Sequence, residues 1–244
     1  MKFKILGKGS GLPELNKKHS SVYIQDNELN YLLDCGEGIS QSFLENDINQ
    51  DLIDFIVITH FHPDHISGIY MLIQLFYLKK RIKPLDIYLP ENIDTFRKSL
   101  EMFYLFSDRM TYKINLLDIN KLTKDYKDIS IKSNDHLIGY QDFIEKNHLN
   151  NMMLSYSIKI KSNNKYLVYT SDISTLNYIK EFITNTNICI VDAMHPSIQE
   201  IKELNTIIKE KVILTHCNEN LFTDFINMEK KFEIANEKKL YNFS

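Results

Sequence analysis

Cysteine is scarce and scattered in this chain. Cys35, Cys189 and Cys217 are odd in number, far apart and form no C-x-x-C pair. A disulfide framework is therefore not expected, and the three residues fit reduced thiols of a cytosolic protein. Long apolar runs are missing too, so no membrane span is expected, and the opening Met1-Lys2-Phe3-Lys4-Ile5-Leu6-Gly7 holds too few apolar residues for a signal peptide. Neither charge sign dominates: 29 Lys and Arg stand against 32 Asp and Glu, a formal net charge of −3. Such totals do not advertise nucleic-acid binding, although a local basic face would be compatible with them. What remains is a globular composition, 43% hydrophobic and 25% charged over 244 residues. It is expected to fold as a single domain over residues 1–244, soluble and cytoplasmic.

The chemistry is concentrated in Thr59-His60-Phe61-His62-Pro63-Asp64-His65, directly after the apolar run Phe55-Ile56-Val57-Ile58. Four metal-competent side chains fall within six positions. In an extended or turning backbone His60 and His62 project to the same side, while Asp64 and His65, past the Pro63 corner, reach a second point nearby. Imidazole and carboxylate are donors that borderline divalent metals such as zinc favour. The spacing suits two adjacent ions better than one. Accidental accumulation of histidines in a loop would have to cluster three imidazoles and an acid by chance.

The same arrangement recurs along the chain: apolar runs end in polar residues able to bind metal or move protons. Residues 129–132 alternate like a half-buried strand and lead to His136. Residues 166–169 lead to Asp172, 188–191 to Asp192 and then His195, and 212–214 to His216. Ligand sites in layered α/β folds gather at the carboxyl ends of strands, so separate strands can deliver these groups to one rim. His148 competes with His136, but it sits in a polar loop, whereas His136 follows a strand directly. Asp34 closes another strand and is expected to accept a hydrogen bond from a ligand histidine or to brace the metal loop from behind. His19 reads as a solvated or internally satisfied loop residue, and Cys217, beside His216, as a small space-filler rather than a soft ligand. The turn Gly7-Lys8-Gly9-Ser10-Gly11 has no helix signature after it and reads as a tight turn, not a phosphate loop. Helices are expected over 39–46, 66–78, 91–106 and 198–208, and a solvated turn over 120–127.

The H-x-H-x-D-H pattern resembles the metallo-β-lactamase superfamily, and the likeness runs from Leu6-Gly7-Lys8-Gly9-Ser10 to Leu214-Thr215-His216. It implies an α/β fold, the four-layer αββα sandwich. In dinuclear members the first ion takes the positions of His60, His62 and His136, the second those of Asp64, His65 and His216, and Asp172 bridges them. The implied cofactors are two divalent ions, zinc first, with manganese and iron as alternatives. Two such ions about 3.5–4 Å apart make a bridging water a strong nucleophile near neutral pH. Asp64 has a second implied duty, aiming that nucleophile at the substrate. His195, in Met194-His195-Pro196-Ser197, resembles the extra histidine of the ribonuclease Z-like branch, where it would protonate the leaving alkoxide. The alternative is that His195 only caps or packs the following helix.

The opening loop, Asp34-Cys35-Gly36-Glu37, His136 followed by Gly139-Tyr140, His195 and the terminal Leu214-Thr215-His216 all look like ribonuclease Z and its small relatives. Three features depart from it. The span from His136 to Asp172 leaves no room for the arm by which ribonuclease Z holds transfer RNA, Ser171 replaces the usual glycine before the aspartate, and Pro63 also replaces a glycine. A hydrolase of small phosphodiesters, such as cyclic nucleotides or cyclic phosphates, is therefore expected ahead of a tRNA 3′-processing nuclease. The expected partner is a small molecule, without a membrane and with nucleic acid not favoured; a homodimer is left open. A lactone or thioester hydrolase is the alternative. A di-iron oxidoreductase is disfavoured, because such relatives carry an acid where His62 stands and add a flavin domain. A lid is expected between Leu137 and Met153.

Overall fold

The computed structural model describes residues 1–243. Backbone contacts divide the chain into two compact units, Met1–Lys121 with Asn236–Ser244, and Leu122–Ala235.

The first unit is built on a seven-stranded sheet. Its strands are β1 (Lys2–Gly7), β2 (Ser21–Asp26), β3 (Leu29–Leu33), β4 (Phe55–Val57), β5 (Leu85–Leu89) and β6 (Ile114–Asp118), with β13 (Leu240–Asn242) returning to the edge beside β1. The pairs β13–β1, β1–β2 and β2–β3 are antiparallel. From β3 through β6 every pair is parallel, so these four strands end on one edge. Alternate residues Leu32, Ile56, Ile58, Ile87 and Leu89 pack with helices α1 (Ile39–Glu45), α3 (Ile69–Leu78) and α4 (Ile93–Met102). This is the period of two by which a strand gives one face to its helices.

The apolar stretch expected as one buried helix over 66–78 is two helices. A short α2 (Pro63–Ile66) precedes α3, and the break falls at Ser67-Gly68. A Cβ on Gly68 would stand 2.0 Å from the carbonyl oxygen of Gly36, so two backbones touch where no side chain fits. Helix α3 buries Ile69, Leu72, Ile73 and Phe76, one stripe at helical spacing, and exposes Met71 and Leu78. The helix expected over 91–106 runs only from Ile93 to Met102, between residues with positive φ at Asn92 and Tyr104. Arg81 is fully buried and donates from Nε to Lys83 O and from Nη2 to Ile53 O and Pro84 O, 2.7 Å each, and from Nη1 to Gln50 O. Its guanidinium lies over the rings of Phe76 and Tyr112. Burial lowers its pKa, while charge interactions with Tyr112 and the nearby Asp51 and Asp54 carboxylates work against that shift.

The second unit carries a six-stranded sheet in the order β12-β11-β10-β9-β8-β7. The strands are β7 (Ile129–Ser133), β8 (Tyr156–Ser162), β9 (Lys165–Tyr169), β10 (Ile188–Asp192), β11 (Lys211–Thr215) and β12 (Phe232–Ile234). Pairs β9–β10, β10–β11 and β11–β12 are parallel, and β7–β8 and β8–β9 are antiparallel. Strand β7 thus runs the same way as β9, β10 and β11, and all four end on one edge. Val168, Cys189, Val191, Val212 and Leu214 pack with helix α8 (Ile198–Ile207) through Ile201 and Leu204. The segment expected as a solvated turn holds a one-turn helix, α5 (Leu122–Asp125), anchored by the buried Leu122. Helix α6 (Gln141–Lys146) lies within the stretch read as a lid. Helices α7 (Lys180–Ile183) and α9 (Thr223–Met228) complete the unit. Among the described residues no helix is long and apolar enough to cross a membrane.

Candidate metal centre

In the first unit the motif leaves β4 through Ile58 and Thr59 and turns into α2. Pro63 occupies the first helical turn, where its fixed φ suits the helix and its missing N–H is not needed. That role accounts for a proline where glycine was the expected residue. His60 and His65 are fully buried and Asp64 is 8% exposed. The His60 ring centroid lies 4.8 Å from that of His62 and 4.1 Å from that of His65. His65 Nε2 lies 3.6 Å from Asp64 Oδ2.

Asp34 holds this turn in place. It closes β3 with φ 61°. Its Oδ1 accepts the Thr59 N–H at 2.8 Å and the Thr59 hydroxyl at 2.9 Å, and its Oδ2 lies 2.7 Å from His65 Nδ1. With the hydrogen on Nδ1, Nε2 of His65 is left as the coordinating atom, the usual arrangement behind a metal-bound imidazole. The backbone repeats the brace, since Cys35 N–H donates to His65 O at 2.7 Å and Gly68 N–H to Cys35 O at 2.9 Å. A Cβ on Gly36 would stand 2.2 Å from Asp64 O and 2.6 Å from His19 Cβ. His19 is thus packed into this crossing, 8% exposed, rather than solvated, with Nε2 3.6 Å from the Glu37 carboxylate.

In the second unit the groups come from four strand ends. Asp172 follows β9, and its oxygens face different histidines: Oδ2 lies 3.6 Å from His136 Nε2 and Oδ1 lies 2.7 Å from His216 Nδ1. His136, after β7, is therefore the histidine that meets Asp172. His148 is exposed just past α6, with φ 52°. Ser171 and His216 also have positive φ, 54° and 53°, a backbone region that disfavours L side chains and explains why glycine is expected before the aspartate.

Asn134, not singled out from the sequence, ties two of these ends together. Its Nδ2 donates to Asp172 O at 3.0 Å and its Oδ1 accepts His136 N–H at 3.2 Å. Asp135 Oδ1 accepts the Ser174 N–H at 3.0 Å. The only sequence signal for either was its place beside His136 at the end of an alternating strand. His195 Nδ1 lies 2.7 Å from Asp192 Oδ2, and its ring meets that of His136 edge-on at 4.8 Å. Helix α8 is capped by Ser197 and Glu200 in a reciprocal box, so its start needs nothing from His195.

The donors present fit divalent metal. The groups are imidazole and carboxylate, the carboxylate of Asp172 is open to two neighbours, and the candidate histidines are buried or half-buried. Two of the three thiols stand apart from this chemistry. Burial raises the Cys35 thiol well above its ordinary value and pushes Cys189 up to about 12, so neither is a thiolate near neutral pH.

Two mixed sheets with helices, as found here, match the metallo-β-lactamase fold. The chain superposes over 98% of its length on 98% of the metallo-β-lactamase-fold protein YhfI from Bacillus subtilis, with a TM-score of 0.71 and 19% identity. It also superposes over the full length of both chains on the short form of human tRNase Z, with a TM-score of 0.73 and 17% identity. The chain belongs to the family described as Anti-Pycsar protein Apyc1, whose profile matches residues 1–241. Among curated proteins it is 36% identical over 121 residues to ribonuclease Z of Methanococcus aeolicus, a stretch covering 49% of this chain and 37% of that protein. The chain spans under half the length of the curated relatives it matches.

Proposed function

We propose that this chain is a dinuclear metal-dependent phosphodiesterase acting in the cytoplasm on a small, cyclic phosphodiester. The observation that carries the reading is the Asp172 carboxylate, with one oxygen toward His136 and the other toward His216. That disposition is what a carboxylate shared by two ions requires. We assign His60, His62 and His136 to the first ion, Asp64, His65 and His216 to the second, and Asp172 to both, so that the two units act as one hydrolase domain. Zinc is the proposed metal, since histidine and aspartate without thiolate suit a borderline ion. Bound there, two divalent ions supply an activated water-derived nucleophile and offset the charge that grows on phosphorus-bound oxygens.

The residues of the chain do the rest. Asp34 engages His65 at Nδ1, so Nε2 is the atom this histidine offers for coordination. Asp64, at the first turn of α2, directs the attacking oxygen with the carboxylate oxygen it does not give to metal. His195 gives a proton to the leaving alkoxide from Nε2, its Nδ1 being engaged by Asp192. The segment between Leu137 and Met153 exposes Ile138, Tyr140, Phe143, Leu149 and Met152, an apolar edge beside His136 that suits a small organic group. The name ribonuclease Z among the relatives supports chemistry at phosphorus, and the short His136–Asp172 connection supports a small substrate over transfer RNA.

A lactone or thioester hydrolase is the second reading, because the same nucleophile attacks carbonyl carbon. Metal-loaded protein assayed on bis(p-nitrophenyl) phosphate, a lactone and a thioester separates them. Turnover of the phosphodiester is expected, and turnover of the carbonyl substrates alone would overturn the proposal.

A further inference from the structure

We infer that Asp192 is a positioning residue that fixes the His195 ring and registers it against Asp172. The inference rests on the reading of His195 as proton donor. Asp192 ends β10 with 1% exposure, and its carboxylate takes four donors. Oδ1 accepts the Met194 N–H at 2.9 Å and the His195 N–H at 3.4 Å. Oδ2 accepts the Ile173 N–H at 3.1 Å and lies 2.7 Å from His195 Nδ1. One oxygen is therefore shared between the residue that follows Asp172 and the ring of His195, which sets their spacing.

A second carboxylate clamps the same two loops farther out. Glu200 Oε1 accepts the Leu176 N–H at 3.0 Å and the Thr175 hydroxyl, while its Oε2 accepts the Ser197 N–H at 3.0 Å and hydroxyl at 2.8 Å. The loop after Asp172 and the loop after His195 are thus joined at two points. A plain structural role for Asp192 would be to satisfy backbone amides at a strand end. The three amides it accepts would be served without the ring, so the bond to Nδ1 is an addition to that role. A cation among Asp172, Asp192 and His195, whose donor atoms lie within 4.8 Å of one another, would compete for the Nδ1 and Oδ2 already joined.

In the step this serves, the P–O bond to the leaving group breaks and its electron pair stays on the alkoxide oxygen. That oxygen takes the proton from His195 Nε2. The ring ends neutral with its remaining hydrogen on Nδ1, still donated to Asp192. Without Asp192 the ring can turn, and the hydrogen can sit on the wrong nitrogen.

Two measurements test this. In the first, Asp192→Asn and His195→Ala are made singly and together and assayed on bis(p-nitrophenyl) phosphate and on an alkyl phosphodiester. Asp192→Asn is expected to lower kcat on the alkyl ester by about 10²-fold or more, within the range of general acid catalysis, and on the nitrophenyl ester less than about tenfold. KM and metal content should hold. In the His195→Ala background the same change should add less than about twofold, because a residue acting through His195 has nothing left to position. Equal losses on both esters, or a full additional loss in the double variant, overturn the inference. If His195→Ala itself fails to discriminate between the esters, the proton-donor reading falls and takes the inference with it. Discrimination by His195→Ala without discrimination by Asp192→Asn removes the inference alone. The second measurement needs no variant: two-bond ¹H–¹⁵N spectra of the wild-type protein should place a hydrogen on His195 Nδ1. A ring with Nδ1 bare overturns the inference whether or not Asp192→Asn folds.

Discussion

The two units carry their candidate ligands in opposite ways. In the first, four side chains come from six consecutive residues on one turn after β4, and a single buried carboxylate, Asp34, braces them. In the second, His136, Asp172, His195 and His216 each follow a different strand, and Asn134, Asp135, Asp192 and Glu200 hold the ends in register. A contiguous motif needs one brace, whereas a dispersed one needs a network. The first should therefore fail all at once and the second in parts.

The largest effect is expected from Asp34→Ala. It leaves the buried Thr59 N–H and hydroxyl and His65 Nδ1 without their acceptor, and should cost about 3 kcal/mol in denaturant unfolding together with loss of bound metal. A loss below about 1 kcal/mol would mean that the turn does not depend on this one brace. Next in size, His136→Ala should lower metal content while His148→Ala leaves it near two ions per chain by elemental analysis, because of these two it is His136 that faces Asp172. The reverse result would transfer the ligand role to the lid. Ser171→Gly should raise the unfolding free energy slightly, by about 0.5 kcal/mol, since the strain at φ 54° is relieved by more than the unfolded chain gains in freedom. A destabilised glycine variant would show that the Ser171 hydroxyl contributes more than the strain it carries.

The smallest effect concerns pH. Partial burial pushes the Glu200 carboxyl up, but hydrogen bonds from Thr175, Ser197 and Asn177 outweigh it and hold the group below its ordinary value. A carboxylate lowered on folding contributes stability above its unfolded pKa, near 4.5, and loses it as pH falls through the folded value. The wild-type protein should therefore lose slightly more stability than Glu200→Gln between about pH 5 and pH 3. Parallel curves would show that the clamp between the two loops does not depend on charge.

Much of this was legible because strands advertise themselves by apolar runs and their ends by the polar residue that follows. His60, Asp172, His195 and His216 could be picked out that way as strand-end residues. What stayed hidden depends on tertiary contact. The strand end favoured His136 over His148, but that His136 meets Asp172 itself is set by the β7–β8–β9 pairing. Asn134 reads as an ordinary turn residue until its amide is seen on Asp172 O. The break before α3 follows from contact with the backbone of Gly36, 32 positions earlier in the chain, which no helical periodicity encodes.

That contact between Gly36 and Gly68 also bears on how the protein can evolve. Both positions press on main-chain oxygen, and the loop holding Gly36 is bonded to the carbonyl of His65. A new methyl at either would move the histidine itself, so selection for altered substrates should leave both glycines untouched. At Gly139, by contrast, an added Cβ would meet nothing within 4 Å, so a side chain there is expected to be tolerated. Diversity among descendants of this chain should collect along the outer edge beside His136, while the inner crossing stays as it is.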